Sequence, residues 1–261
     1  MKSSYYKYFA ALLLFGSNGI VASNINLPSY EIVLLRLLLG SLFLITVFTV
    51  SRQRFTFYRN KHTCLYLFIS ASAMGASWML LYEAYQQVGI SIASLAYYCG
   101  PVIVMILSPF LFRETLTWPK IAGFLTVLAG MCLVNLQALD EGKTIWGLFC
   151  GLMSAFMYAL MVTANKKTKP ESGLENSLLQ LVIGSFIVVA FVSMQKNFVL
   201  SLTTIDWIPV LLLGLLNTGI GCYLYFSSIT DLPVQTVAIC GYLEPLSAVV
   251  FSVLFLHEVL L

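Results

Sequence analysis

Long apolar runs follow one another along almost the whole of this chain. Nine of them, separated by short polar or Pro/Gly breaks, lie at residues 7–23, 30–50, 64–86, 91–112, 119–137, 145–164, 176–195, 207–228 and 235–256. A helix of about 20 apolar residues crosses a bilayer, and these runs lack the polar–apolar alternation of a membrane β-strand. Only 10% of the residues are charged, against about 25% in soluble domains, which excludes an ordinary soluble enzyme. The sequence therefore predicts an all-α polytopic membrane protein.

The basic residues divide unevenly between the two sides of such a bundle. With a cytoplasmic N-terminus, most of the 14 lysines and arginines fall in cytoplasmic segments, namely Lys2, Lys7, Arg52, Arg54, Arg59, Lys61, Arg113, Lys120, Lys166, Lys167 and Lys169. Lys143 and Lys196 fall outside, and Arg36 lies within a span. Because cytoplasmic loops are enriched in lysine and arginine, we expect a multi-pass protein of the plasma or inner membrane with its N-terminus inside the cell. Its partners would be the lipid bilayer and a small molecule, not nucleic acid.

The second half of the chain repeats the first at an offset of 144 residues. LLRLLLGSLF at 34–43 aligns with LLQLVIGSFI at 178–187. The same offset places Gly75 on Gly219, Tyr98 on Tyr242, Pro101 on Pro245, Ser108 on Ser252, and Arg113-Glu114 on His257-Glu258. A repeat of five helices, an odd number, inverts the second half in the membrane. Such inverted repeats are typical of secondary transporters with a binding site at the midplane.

The repeat predicts the domain organisation. We expect a first five-helix repeat at residues 1–138 and a second, inverted repeat at 139–261. The second repeat contains only four spans, because nothing in it corresponds to the fifth helix, Trp118 to Gln137. We therefore expect ten transmembrane helices in the full protein, of which about nine are present in this sequence.

Glu244 is the strongest candidate for chemistry. It lies about nine residues into the last span, close to the bilayer midplane at 1.5 Å per residue. A carboxylate is costly at that depth, so its side chain should face the bundle interior. It would recognise a substrate amine or carry a coupling proton. The alternative is a structural carboxyl group bonded to neighbouring hydroxyls or amides.

Pro101 and Pro245 occupy equivalent places in the fourth and ninth spans. Each removes one helical hydrogen bond and frees the carbonyl of Tyr97 or Gly241. Within lipid, a free carbonyl is tolerated only where protein groups or a water-filled cavity satisfy it. The pair therefore predicts either a broken, gating helix beside a binding site or a simple packing kink.

Aromatic and amide side chains supply further candidates. Trp78, Tyr82 and Tyr85 share one face of the third helix, since their spacing is i, i+4, i+7. The full set of predicted substrate-binding residues is Asn18, Trp78, Tyr82, Tyr98, Tyr158, Asn217, Tyr242 and Glu244. The aromatic members would line a cavity or, alternatively, pack helices and form interfacial belts. The two amides would bind solute or join helices by hydrogen bonds.

Two remaining features have mainly structural interpretations. Arg36 lies about six residues into the second span and is expected to form an ion pair with Glu83 or Glu31, to extend toward the interface, or to contact an anionic substrate group. The Gly147–Gly151 GxxxG motif predicts a close helix contact, either inside the subunit or at a homodimer face. The cysteines lack the spacing of a zinc site, and no catalytic, Walker or metalloprotease motif occurs. We therefore expect no metal, cofactor or catalytic residue.

Several segments together resemble a known family. FGSNGIVAS in the first span, LLRLLLG in the second, PVIVMILSPFLFRETLTWPKIAGFLTVLAG and EPLSAVVFSVLFLHE are similar to the EamA-like families of the drug/metabolite transporter superfamily. The resemblance implies ten helices in two inverted five-helix halves, a central cavity and alternating access. It also implies transport of small metabolites, often outward. Phe15 stands where many relatives carry tryptophan.

The sequence thus predicts a secondary active or facilitative transporter of amino acids, amines or related solutes, in the direction of export and with protons as a possible coupling ion. One alternative is a non-transporting membrane scaffold or sensor. Another is an intramembrane lipid-modifying enzyme, which would need clustered acid–base or metal-binding residues. The two histidines, His62 and His257, are expected on opposite sides of the membrane, which disfavours that enzyme.

Overall fold

The computed structural model describes residues 2–135, 145–168, 172–194 and 207–256. These residues form a bundle of α-helices. The predicted boundary between the repeats at 138/139, the repeat positions His257 and Glu258, and Lys143, Lys169 and Lys196 lie outside the described residues.

Twelve α-helices occur in the described residues. They are α1 Lys2–Gly16, α2 Asn18–Ser23, α3 Ser29–Val50, α4 Lys61–Tyr97, α5 Gly100–Phe112, α6 Trp118–Asn135, α7 Ile145–Lys167, α8 Gly173–Ser193, α9 Trp207–Leu211, α10 Gly221–Ile229, α11 Val234–Cys240 and α12 Leu243–Leu256. A short 3₁₀ turn, Phe57–Arg59, precedes α4, and a π-helical segment, Leu212–Ile220, joins α9 to α10.

Seven helical segments are long and apolar enough to cross a membrane. They are Tyr30–Val50, Lys61–Gly89, Ile92–Phe112, Ile145–Lys167, Gly173–Ser193, Trp207–Ile229 and Val234–Phe255. Each corresponds to one of the nine predicted apolar runs, and this confirms an all-α polytopic membrane protein. The other two runs correspond to α1 with α2, and to α6.

Gly89 separates the third and fourth spans. Its φ of 79° and ψ of 165° interrupt α4 between the two apolar stretches, a conformation that glycine adopts without a Cβ penalty. The chain therefore turns back through the membrane at the position where the sequence shows a gap between apolar runs.

The helices pack around an apolar core with a lipid-facing exterior. The helix α4 lies against α7 and α8, α3 lies against α8 and the π-helical segment, and α1 lies against α10 and α12. Leu37, Met74 and Leu181 are almost fully buried. Phe110 and Phe186 are 82% and 70% exposed within the spans, as expected where the surrounding solvent is lipid.

Residues related by the 144-residue offset meet each other inside the bundle. The Ser41 and Ser185 hydroxyl oxygens are 3.0 Å apart. A Cβ placed on Gly40 would lie 3.3 Å from the Gly219 nitrogen, and one on Gly75 would lie 2.9 Å from the Gly184 carbonyl oxygen. These two glycine contacts are equivalent under the offset, as expected for two halves related by a twofold axis.

The GxxxG motif of α7, Gly147–Gly151, lies at a helix contact within the subunit. A Cβ on Gly147 would meet Val88 at 2.5 Å, and one on Gly151 would meet Ala96 at 2.8 Å. The small residues therefore let α7 approach α4 closely, which is the first of the two predicted interpretations. This face is covered within the subunit, so it offers no surface for the predicted homodimer.

Candidate functional site

Two helices are interrupted in the middle of the bundle. The helix α4 ends at Tyr97 and α5 begins at Gly100, while α11 ends at Cys240 and α12 begins at Leu243. Pro101 and Pro245 lie in the first turns of α5 and α12, where a backbone N–H would have no helical acceptor. The prolines therefore mark the starts of half-helices at equivalent positions of the repeat.

The two interruptions contact each other. The Tyr242 hydroxyl donates to the carbonyl oxygen of Tyr98 at 2.8 Å. These tyrosines are related by the 144-residue offset, and Tyr242 is 1% exposed. A carbonyl left unpaired by a helix break is thus satisfied by a side chain of the other half.

Arg36 of α3 is a buried cation with neutral partners. Its Nε donates to the Thr218 hydroxyl at 2.9 Å, and its guanidinium lies 4.6 Å from the centroid of the Trp78 ring. The Tyr82 hydroxyl also interacts electrostatically with the guanidinium. Arg36 is 8% exposed, and within the described ranges no carboxylate lies at salt-bridge distance from it. Its positive charge is therefore only partly compensated inside the bundle.

Glu244 lies in the first turn of α12 and shares its surroundings with Arg36. The carboxylate interacts electrostatically with Arg36 and with the hydroxyls of Tyr97, Tyr98 and Tyr158. The residue is half-buried, and among the residues that the structure describes its carboxylate has no hydrogen-bond donor. The two halves of the chain thus contribute opposite charges to one region without forming a salt bridge.

Tyrosine rings surround these charges. Tyr82 and Tyr85 pack edge to face at 5.4 Å, and Tyr97 packs against Tyr158 in the same way at 5.5 Å. The hydroxyls of Tyr158 and Tyr225 are 3.4 Å apart. The predicted residues Trp78, Tyr82, Tyr98, Tyr158, Tyr242 and Glu244 therefore belong to one connected cluster with Arg36.

Three members of this cluster were not predicted from the sequence. Tyr8 donates to the Val237 carbonyl at 2.7 Å and packs its ring 5.6 Å from that of Tyr225. Tyr97 contacts both Tyr98 and Tyr158. The position of Tyr97 beside Tyr98 was a usable signal, whereas only helix packing brings Tyr8 and Tyr225 into the cluster.

Asn217 and Asn18 join helices. The Asn217 amide lies 2.9 Å from each of three acceptors, the Leu14 carbonyl, the Ser17 hydroxyl and the Asn18 side-chain oxygen. Asn217 is 1% exposed and lies in the π-helical segment, while its partners flank the break between α1 and α2. The amide donors thus stabilise the break in the first span.

Glu83 has other partners than the predicted Arg36. It accepts from the Gln87 amide at 3.1 Å and from the Trp146 indole at 3.4 Å, at the end of the bundle opposite the N-terminus. The Arg36–Glu83 ion pair is therefore not among the contacts of the described residues. Glu31, the other predicted partner, lies in the first turn of α3, one helical turn and a half before Arg36.

The end of the bundle that carries the N-terminus, here called the N-terminal end, is closed by polar contacts between the halves. Glu114 accepts from the backbone amides of Val234 and Gln235 at 2.7 and 2.9 Å. Gln235 in turn donates to the Ser108 hydroxyl at 2.9 Å and accepts from Lys120 at 2.5 Å. We call this set of contacts the Glu114 latch, since it holds α5 of the first half to α11 of the second.

The described residues contain no cluster of His, Cys, Asp and Glu side chains able to hold a metal ion. A pair of discontinuous helices inside a bundle of apolar membrane spans is a feature of the class of helical membrane transporters.

The sequence places the chain within a particular family. It matches the model of the EamA-like transporter family over residues 3–136 and again over 145–261. The chain therefore belongs to the EamA-like transporter family, within the drug/metabolite transporter superfamily, which confirms the resemblance seen in the sequence.

Individual relatives agree with this assignment. An uncharacterized transporter of Bacillus subtilis, YxxF, is 27% identical over 256 residues, covering 95% of this chain and 80% of its own. A biotin transporter of Salmonella typhimurium is 21% identical over 203 residues, covering 76% of this chain and 67% of its own. A crystal structure of another protein superimposes with a TM-score of 0.83 at 18% identity, covering 99% of this chain and 90% of its own. This last similarity concerns the fold.

Proposed function

We propose that this protein moves small metabolites of the amino acid and amine class across the cell membrane, in the direction of export, by alternating access between two inverted halves. One observation carries the proposal. Arg36 of the first half and Glu244 of the second are opposite charges that interact electrostatically among aromatic rings without pairing directly. The family assignment and the similarity to named transporters support the transport part of this proposal.

The chemistry of the two charges favours a zwitterionic solute. A guanidinium presents a planar fork that fits a carboxylate, and stacking on Trp78 holds that plane in place. The Glu244 carboxylate accepts from an ammonium group. An amino acid offers both groups, and its side chain would lie among the tyrosine rings. Each charged side chain would then gain an oppositely charged group of the solute as its partner. Such an attraction is stronger in a region of low polarity than in water, and this favours binding.

Alternating access is supported by the placement of the contacts. The Glu114 latch joins the two halves at the N-terminal end, whereas Tyr98 and Tyr242 join them at mid-depth. Release of the latch would open a route from the site to that end of the bundle. Helix breaks beside the site let the half-helices move without disrupting the rest of their spans.

Proton coupling would pass through Glu244. Within the described ranges it is the carboxylate at mid-depth, because Glu31 and Glu83 lie toward one end and Glu114, Glu175 and Asp231 toward the other. A proton on Glu244 would remove the negative charge that attracts a solute ammonium. Binding of a solute cation and of a proton would therefore exclude one another, as exchange of the two across a membrane requires.

The first test is thermal stabilisation of the purified protein by a panel of amino acids, amines, nucleosides and organic acids. A ligand at 100 times its Kd stabilises the folded state by about 2.7 kcal/mol. We expect an amino acid to stabilise the wild type and the control Glu83→Gln, but not Glu244→Gln. Arg36→Lys keeps the charge but loses the planar fork, so we expect about tenfold weaker binding.

The outcomes separate the alternatives. Stabilisation by an amine alone, unchanged in Arg36→Lys, would contradict the zwitterion and leave an amine transporter. If no compound of the panel stabilises the protein and no solute flux is measured in proteoliposomes, the scaffold or sensor would be favoured. Wild-type transport by Glu244→Gln at every pH would exclude proton coupling through this carboxylate.

A further inference from the structure

A cleft of about 510 Å³ lies at the N-terminal end of the bundle, where α1, α3, α8 and α10 meet. Its lining residues are different from those of the Arg36–Glu244 cluster. The lining changes character along its length. Phe43, Val47 and Ile220 lie inside membrane spans, while Ser51 and Ser172 lie just beyond helix ends, where the mouth of the cleft is expected.

The dimensions of the cleft match a lipid chain at the membrane surface. From Phe43 to Ser51 the helix α3 rises about 12 Å at 1.5 Å per residue. The side chains of Phe43, Val47 and Ile220 are half-buried within membrane spans, and the mouth coincides with the end of α3 at Val50. A cleft with apolar side chains inside the spans and polar side chains at the headgroup level fits a lipid better than a soluble metabolite.

Lys7 is the charged residue of the cleft lining. Its ammonium lies 5.7 Å from the centroid of the Tyr223 ring, and it makes no hydrogen bond within the described part of the chain. Two acids close to the lining in the chain have other partners, since Asp231 accepts from the Ser4 hydroxyl at 2.9 Å and Glu175 accepts from the Thr56 hydroxyl at 2.6 Å. The ammonium therefore faces the cleft without an anionic partner.

The rim of the cleft adds positive charge. Gln53 lines the mouth, its amide oxygen accepts from the Ser172 hydroxyl at 2.7 Å, and the adjacent Arg52 and Arg54 are exposed. Basic pockets between transmembrane helices at the headgroup level bind anionic lipid head groups. Charge and shape therefore select the same kind of occupant.

We infer that this cleft binds one anionic phospholipid, with its phosphate at Lys7 and one acyl chain along Phe43, Val47 and Ile220. The site is separate from the proposed solute site and does not depend on which solute is carried. A bound lipid would tie α1 and α10 to α3 and α8, and so stabilise their packing at the N-terminal end.

The experiment compares lipids and matched variants of the whole chain. Purified protein is titrated with phosphatidylglycerol or with phosphatidylcholine of the same acyl chains, and retained lipid is counted by native mass spectrometry. We expect one retained phosphatidylglycerol in the wild type and in Lys2→Gln, and about fivefold weaker retention in Lys7→Gln, the effect of one basic side chain at an anionic surface. Phosphatidylglycerol should raise the melting temperature of the wild type and of Lys2→Gln, and should raise that of Lys7→Gln less.

A second pair of variants tests the acyl chain. Val47→Phe fills the cleft, whereas Val50→Phe adds the same ring at a position that is 77% exposed and outside the lining. We expect Val47→Phe to lose the retained lipid and Val50→Phe to keep it. Equal melting temperatures of the two variants in phosphatidylcholine would show that both are folded.

Three results would overturn the inference. Retention of phosphatidylglycerol by Lys7→Gln at the wild-type level would contradict the contact between Lys7 and the phosphate. Equal retention of phosphatidylcholine and phosphatidylglycerol would show that the cleft does not recognise the charge of the lipid. Equal stabilisation by inorganic phosphate would show that the head group alone is recognised, and the acyl chain would then have no part in binding.

Discussion

At the scale of single residues, burial decides which polar groups are available to a solute. Asn217 and Tyr242 are both 1% exposed, and their donors are directed at protein acceptors. Arg36 and Glu244 differ, because their charges lack a close counter-ion within the described residues. Charged groups are the costliest to leave incompletely compensated in a bundle, which makes these two the strongest candidates for binding.

The contact between the repeats at Tyr242 can be tested alone. Tyr242→Phe removes the hydroxyl that satisfies the Tyr98 carbonyl, with little change in volume. We expect a loss of about 1 kcal/mol in the free energy of unfolding, since a buried carbonyl is left without this donor. Tyr66→Phe is the control, because the Tyr66 ring contacts Lys167 through its face and retains that contact. Equal stability of the two variants in reversible unfolding would contradict the role given to the hydroxyl.

At the scale of elements, the breaks in helices are where structure departs most from regular geometry. The π-helical segment places the Thr218 hydroxyl 2.8 Å from the Leu213 carbonyl, five residues back, while the same hydroxyl accepts from Arg36. π-Helical turns are rare and frequent at functional sites. Here the altered register points Asn217 toward the α1–α2 break and Thr218 toward the candidate site.

The Glu114 latch makes a prediction about gating. Glu114→Gln keeps one acceptor oxygen but replaces the second by a donor, which cannot bond the Val234 or Gln235 amide. Loss of such a cap costs about 1 kcal/mol, so we expect the N-terminal end to open about fivefold more often. The measurement is the rate at which a thiol reagent modifies Ser108→Cys, buried at the latch, in a cysteine-free background.

A matched variant serves as the control for the latch. Glu175→Gln alters a carboxylate that accepts from the backbone amides of Thr56 and Phe57 through one oxygen, at 2.5 and 2.9 Å, and from the Thr56 hydroxyl through the other. It does not contact α11, so the modification rate at residue 108 should stay at the wild-type value. An equal increase in both variants would show general loosening, and no increase in Glu114→Gln would remove the latch from the gating mechanism.

At the scale of the whole molecule, the two halves are held by contacts that come in symmetry-related sets. The Gly40–Gly219 and Gly75–Gly184 approaches are equivalent, and Ser41 meets Ser185. Close backbone approach at small residues is the usual way in which membrane helices associate, because lipid supplies no hydrophobic force between them. These contacts therefore form two equivalent helix crossings, one between α3 and the π-helical segment and one between α4 and α8.

Inversion of the halves predicts opposite exposure of equivalent residues. Val50 and Met194 are related by the 144-residue offset. Val50 is the last residue of α3, Met194 directly follows α8, and their side chains are 77% and 84% exposed. In a cysteine-free background, we expect Met194→Cys to react with an impermeant maleimide on intact cells. Val50→Cys should react only after the membrane is permeabilised, since its end carries the N-terminus and most basic residues. Labelling of both from the same side would contradict inversion.

Sequence reasoning was most successful where lipid imposes a simple requirement. A backbone in hydrocarbon must satisfy its own polar groups, so the apolar runs are helical in the described residues apart from short breaks, and the gap between the third and fourth runs is the turn at Gly89. The GxxxG motif at Gly147 and Gly151 predicted a close contact for the same local reason. Depth along a helix likewise places Glu244 near the midplane, and this stays a prediction.

Partner choice was not predictable in the same way. Arg36 has plausible acids on neighbouring helices, yet it lies on Trp78 and Thr218, while Glu83 takes Gln87 and Trp146. Rotation of a helix by one residue changes the partner of every polar side chain, and apolar runs alone do not set that rotation.

The sequence by itself determined the number of apolar runs, the repeat and the family, because these depend on composition and order along one chain. The tertiary structure decided that Arg36 and Glu244 interact electrostatically, that Asn217 stabilises a helix break, and that Lys7 lines a cleft. Those facts depend on distances between residues as far apart in sequence as Arg36 and Glu244. Only the packing of helices brings such residues together.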